Sequence, residues 1–291
     1  MRTVADGRLG RRKRADLFFR VLAAASAVAV LLSLVLILGT ILWKSVPALS
    51  LSMLTQTPRG GFYLGKEGGI LNAILGSLYL AAGATVLAFL LSLPIALYLN
   101  IYKGRASKAA AWTRFFLDVL WGVPSIVYGV FGFIVMLAIG LRASLLAGIL
   151  TVALLELPIM CRAIDEVMRL VPPELKEASA SLGATRFETA MRVMVRQSAP
   201  GILTGVLLAF GRGIGDAASV LFTAGFTDRV PTSPADPTAT LPLAIFFQLG
   251  TPFPEVRQRA YASAAVLTLI ILLISLAGRA IGRKATRHVV K

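Results

Sequence analysis

The 291 residues are 57% hydrophobic and only 15% charged, with a mean hydropathy of +0.79, which excludes an ordinary soluble domain and points to an integral membrane protein. A formal charge of +16 raises nucleic acid as a partner, but the basic residues flank apolar runs as a membrane topology requires, so no nucleic acid is expected. One cysteine, Cys161, excludes an internal disulfide and sits in an apolar run as a small packing residue.

In chain order, residues 1–16 form a basic tail, and residues 17–46 a first apolar helix with no ionisable residue in its core. Its apolar run exceeds the 7 to 15 residues of a signal-peptide core, so it is expected to stay as an uncleaved, peripheral anchor ending on the aromatic and basic pair Trp43 and Lys44. The following loop holds Gly60–Glu67, GGFYLGKE, which mimics a phosphate-cradling loop but places Glu67 where a Ser or Thr would bind the metal, and no strand pattern precedes it. It is rejected as a nucleotide site. Charge-free runs over 21–42, 68–102, 119–141 and 260–278 each approach or exceed the roughly 20 residues that cross a bilayer as a helix. Spans 144–168 and 199–223 are interrupted by charge, giving six transmembrane helices in all, with a core over 68–281 and a second basic tail over 282–291.

Counting Lys and Arg, 22 fall on the side of the two termini and 7 on the other, with Arg212 left inside a span, so both termini are expected in the cytoplasm and the basic ends beside anionic membrane lipid. Pro94 is expected to kink the second span. An amphipathic piece over 109–120, with Trp112, Phe115 and Phe116, is expected along the interface before the chain enters the bilayer at Pro124. There Ser125 and Tyr128 put a hydroxyl and a phenol near the boundary, serving either helix entry or the substrate path. The outer loop over 227–256 carries six prolines around LPLAIFFQL, nine residues too short to span and suited to a re-entrant or interfacial helix.

Charge inside a membrane helix costs about 2.5–3.5 kcal/mol per residue and therefore faces the bundle interior. The fourth span carries Glu156, Arg162, Asp165 and Glu166, with Arg162 and Asp165 three apart on one face. That pairing is read either as a structural ion pair or as part of a substrate path, and Glu156 has no assigned role. The fifth span carries Arg212 and Asp216 four apart, with Ser219 and Thr223 expected to extend the same face. A guanidinium fork matches a tetrahedral oxyanion, and nearby hydroxyls add donors. The competing reading is mutual neutralisation of the two charges so that the helix can insert. No metal cluster or catalytic triad stands out, and His288 reads as a solvated tail residue.

Between these spans, residues 172–196 form a polar loop whose small residues Ala178, Ser179, Ala180 and Ser181 let a short helix lie close in a groove, with Gly183 supplying a conformation other residues resist, and Glu177, Leu182, Ala184, Arg186 and Phe187 share this loop. This loop, with GVPSIVYGVFG from Gly122, LPIMCRAIDEVMRLVP from Leu157, EASASLGATRFETAMRV from Glu177, PGILTGVLLAFGRGIGD from Pro200 and LFTAGF from Leu221, resembles the A-type permeases of phosphate-specific ABC importers. Two departures are Arg196 in place of the proline closing the loop motif, and Asp216–Ala217 in place of Glu–Thr. The resemblance implies an all-α polytopic protein of the prokaryotic inner membrane with a coupling loop between helices 4 and 5. It further implies a separate ATPase dimer that uses ATP and Mg, a second related permease and an extracytoplasmic phosphate-binding protein. This chain itself would bind no cofactor and not be an enzyme. Permeases for sulfate or molybdate, and an ATP-independent anion transporter or channel, are the alternatives.

Overall fold

The computed structural model describes residues 2–59, 67–103 and 107–285; the Gly60–Glu67 motif and the tail with His288 lie outside what it describes in full. The described residues form helices α1 (Arg2–Ser45), α2 (Leu51–Thr55), α3 (Leu71–Leu97), α4 (Lys108–Trp121), α5 (Ser125–Ala138), α6 (Leu145–Arg169), α7 (Pro173–Ser181), α8 (Arg186–Glu188), α9 (Arg196–Ile214), α10 (Leu241–Leu249) and α11 (Pro254–Ala285). A two-residue antiparallel pair, β1 (Pro58–Arg59) with β2 (Glu67–Gly68), closes the first loop.

Among the described residues, five helical stretches are long and apolar enough to cross a membrane, and α4 with α5 makes a sixth only as a broken pair bent by 98°. The expected third span is therefore not one straight helix. Gly122, Val123 and Pro124 interrupt it because proline disfavours a helical residue before it and cannot donate to the turn behind it. The amphipathic piece expected over 109–120 is the helix α4. The helix α3 runs through Pro94 without a break and passes into a π-helical turn over Tyr98–Tyr102. A second π-helical stretch, Thr189–Val195, joins α8 to α9, so the chain is helical from Arg186 to Ile214.

The core of the bundle is α3, α6 and α9. On α3 the buried positions include Ala73, Gly76, Ser77, Ala81, Ala84, Ala88 and Ala96, and small residues of this kind let helix backbones approach closely in lipid, where no hydrophobic force drives them together. Larger residues from α6 fill the space beyond: Met160, Ile164 and Met168 pack with Met194, Ile202 and Ala209. By contrast α1, although the most apolar helix, has none of its spanning window buried and packs against α11. Within this chain it lies on the outside of the bundle.

The proline-rich loop is held tightly. α6 begins with donors that have no partner inside the helix, and two of these are met from the loop: Leu145 N–H bonds Asp236 O and Leu146 N–H bonds Pro234 O, each at 2.8 Å, while Ser144 N–H bonds Thr223 O at 2.9 Å. Thr238 N–H bonds Ala224 O, and Leu241 N–H bonds Ser77 Oγ on α3, also at 2.8 Å. α10 buries Leu241, Pro242, Leu243, Ala244 and Gln248, so this nine-residue helix enters the bundle without crossing it.

Candidate translocation path and coupling surface

The seam between α6 and α9 sets the relative heights of Glu156, Arg162 and Arg212. Gly213 abuts the Glu156 carboxyl, Gly205 abuts Ala163 and Gly201 abuts Val167, an antiparallel register in which Arg162 lies level with about residue 206. Arg212 is six residues farther along, roughly 9 Å at 1.5 Å per residue. The two arginines thus occupy two depths and belong to different clusters.

Arg212 stands on the last turn of α9 and pairs with Asp216 at 3.3 Å, its side chain 47% exposed and that of Asp216 5%. The other Asp216 oxygen accepts the Ser219 N–H at 2.8 Å, closing a tight turn immediately after the helix. This corrects the expected face. α9 ends at Ile214 with Gly215 as its cap, and residues 217–224 are turns, so Ser219 and Thr223 do not continue the helix that carries Arg212. Both are fully buried, and the Thr223 hydroxyl donates to Ser219 O at 3.2 Å. Gly129 of α5 fits closely against the backbone of Ala218 and Ser219, where any side chain would collide. Ser125 opens α5 half-buried, and the Tyr128 hydroxyl donates to Leu120 O at 2.8 Å, tying α5 back onto α4. This bond fixes the Tyr128 hydroxyl at the elbow between the two helices.

Arg162 is surrounded. Its guanidinium reaches Asp118 at 2.6 Å, Asp165 at 3.1 Å and Glu166 at 3.3 Å, while Arg114 forks onto both oxygens of the fully buried Asp165 at 2.8 and 3.0 Å. Asn100 adds an amide donor to Asp165 at 2.7 Å, and Arg169 reaches Glu166 at 3.5 Å. Three arginines and three carboxylates therefore bolt α4 and the end of α3 to α6. Sequence reasoning found Arg162 with Asp165 and missed Arg114, Asp118 and Asn100. The spacing of Arg114 and Asp118, four apart on an amphipathic helix, was the available signal.

Glu156 is fully buried and neither carboxyl oxygen has a partner among the described residues; it lies against Gly213, whose missing side chain leaves the room it occupies. Any other residue at 213 would strike it.

The loop after α6 projects its side chains outward. Glu177 and Ala178 on α7 are exposed, Leu182 is 89% exposed and Phe187 66%, and Arg186 is exposed beside it. Gly183 adopts φ +77°, with nothing within contact distance of the side chain it lacks, and Ala184 N–H returns to Ser179 O. The next helical segment starts with a capping box: Thr185 Oγ1 accepts the Glu188 N–H, and Glu188 accepts the Thr185 N–H at 2.9 Å. Ser179 and Thr189 hydroxyls meet at 2.9 Å, and Lys176 donates to Asn100 O at 3.3 Å, linking α7 to the residue that holds Asp165. Arg196, where a proline was the expected pattern, keeps its backbone donor, and the helix runs through it.

Residues 92–290 match the family described as binding-protein-dependent transport system inner membrane component. The chain belongs to that family. Curated relatives of this inner-membrane component include the phosphate transport system permease protein PstA of Haemophilus influenzae, 36% identical over 241 residues that cover 82% of this chain and 84% of the relative. PstA of Yersinia pestis is 35% identical over 94% of this chain and 92% of its own length. PstA 1 of Mycobacterium tuberculosis H37Rv is 38% identical, covering 80% and 76%. Solved structures share the fold. The inward-facing MetNI methionine ABC transporter matches at TM-score 0.60 and 18% identity, over 75% of this chain and 96% of that one. A bacterial alginate ABC transporter, crystallised with an alginate-bound periplasmic protein, matches at TM-score 0.59 and 16% identity, over 90% and 95%. The inner-membrane component described here is thus a multi-pass subunit of the ABC-permease type.

Proposed function

We propose that this chain is the membrane-spanning subunit of an ATP-driven importer of inorganic phosphate, and that it supplies both a substrate-facing arginine and the surface pushed by a separate ATPase dimer. One observation carries the anion reading: Arg212 is held near a buried turn by a single carboxylate while half its side chain stays open, leaving guanidinium donors for a tetrahedral oxyanion. Arg162, with three carboxylates around it, has few donors to spare and acts as a structural clamp. The relatives' printed names favour phosphate over sulfate or molybdate.

In this reading α7 and the termini face the cytoplasm, which the excess of Lys and Arg on that side supports. Leu182 and Phe187 enter a groove on the ATPase; ATP and Mg belong to that partner. Closure of the ATPases moves α7 as a rigid body, and Lys176, Asn100 and Asp165 pass the movement to α4 and α6. A second related permease completes the path, because Arg212 is open on the side its own chain leaves uncovered. An extracytoplasmic binding protein delivers the anion to the end formed by α10 and the proline-rich loop.

The test is uptake of labelled phosphate by the purified complex in liposomes with ATP inside. Uptake that needs ATP, is blocked by vanadate and is not reduced by excess sulfate supports the proposal. Uptake without ATP, or sulfate competing at equal concentration, overturns it. Gly183→Pro, which cannot adopt the observed positive φ, should leave ATP hydrolysis running with uptake lost.

A further inference from the structure

The pair Trp43 and Lys44 belongs to a feature that the transport path does not use. α1 ends where α11 begins, and between them lies an open cavity of about 360 Å³, lined by Trp43, Lys44, Pro254, Arg257, Gln258 and Tyr261 among others. Lys44 is drawn over the Tyr261 ring, Nζ 4.9 Å from its centroid and 3.4 Å from its hydroxyl, which turns the ammonium towards the cavity. Among the described residues no carboxylate pairs with Lys44 or Arg257, and none lines the cavity. Two uncompensated cations, an amide and a phenol thus share one recess.

The position of the recess identifies what reaches it. Both helices are apolar along their spanning windows, and α1 has no buried residue in its window and meets the chain along α11 alone among the larger contacts, so its remaining faces and the outer face of α11 are open to acyl chains. Lys44 and Arg257 stand where those apolar runs stop, at headgroup depth, and Trp43, 83% exposed, has the amphipathic ring that settles there. The volume is at the lower end of small-molecule sites, enough for a phosphate and a short polar headgroup.

We propose that this recess binds the phosphate group of an anionic membrane lipid, with Lys44 and Arg257 on its oxygens and Gln258 and Tyr261 on the headgroup. A free phosphate ion presents the same oxygens but gains nothing from the apolar faces of α1 and α11.

The test is native mass spectrometry of the detergent-purified complex titrated with phosphatidylglycerol, phosphatidylcholine or inorganic phosphate. Phosphatidylglycerol should be retained over phosphatidylcholine, the Lys44→Gln/Arg257→Gln variant should lose about tenfold of that affinity, and Lys44→Arg should keep it. Should the double variant fail to assemble, Arg257→Gln alone, an exposed side chain, carries the same comparison. Inorganic phosphate that displaces phosphatidylglycerol from the wild type but leaves the variants' residual binding untouched assigns the recess to the free ion and overturns the lipid assignment. Equal phosphatidylglycerol binding by wild type and variants overturns the site itself.

Discussion

Arg162 and Arg212 are both carried into the bilayer on neighbouring helices, yet one is used up and the other is not. Arg162 meets three carboxylates within 3.3 Å and is 16% exposed; Arg212 meets one and is 47% exposed. A buried ion pair is weak evidence for stability, because desolvation offsets its attraction, but removing one member strands the other. The difference shows that a charge within a span is read by counting its partners. A saturated arginine holds helices together, whereas one with free donors is available to a ligand.

The comparison breaks if the effects of the two sites are exchanged. The largest effect should be on transport: Arg212→Ala is expected to lower phosphate uptake about 100-fold, the scale of losing a preorganised donor, with assembly unchanged by size-exclusion chromatography. Arg212→Lys, a point charge without the fork, should recover only part of it. Next, Asp165→Ala should cost about 3–5 kcal/mol by stranding Arg114 and Arg162, measured as a lower melting temperature of the complex. If Asp165→Ala instead leaves melting unchanged and abolishes uptake, the division between clamp and path is wrong. Gly213→Ala forces a methyl into the Glu156 carboxyl and should cost about 1–3 kcal/mol. Combining it with Glu156→Ala should cost less than the two single changes together.

The smallest effect concerns pH. Thr232 N–H first, then Ser233 N–H and the Thr232 hydroxyl, hold the Asp236 carboxylate below the ordinary aspartate value of 3.8. A carboxyl with a depressed folded-state value stabilises above its unfolded value and loses that contribution as pH falls through the folded one. Limited proteolysis of the loop should therefore be flat from neutral pH down to about 4 and rise only under stronger acid, while Asp236→Asn should show some of that loosening at neutral pH.

Much of this was legible in the residues. Apolar length predicted the spans, the i,i+4 spacing predicted the Arg212–Asp216 pair, and Gly183 in a polar Ala-rich stretch predicted a turn that only glycine makes easily. What escaped depends on contacts between distant segments. The apolar run continues past Ile214 into LFTAGF, and nothing local says that Asp216 will turn its carboxylate onto Ser219 N–H and end the helix. Arg114 and Asp118 sit on the amphipathic helix α4, and only the 98° elbow and the approach to α6 bring them to Asp165 and Arg162. Glu156 had no reading until its neighbour proved to be Gly213 across the seam.

The carbonyls of Pro234 and Asp236 are the caps of α6 as well as parts of the proline-rich loop. Were that loop to hinge away as a flap, it would strip the first turn of a bundle-core helix of two of its hydrogen-bond acceptors. The rim therefore rides with α6 as a fixed collar, and in the importer proposed above the opening falls to the seam with a second permease.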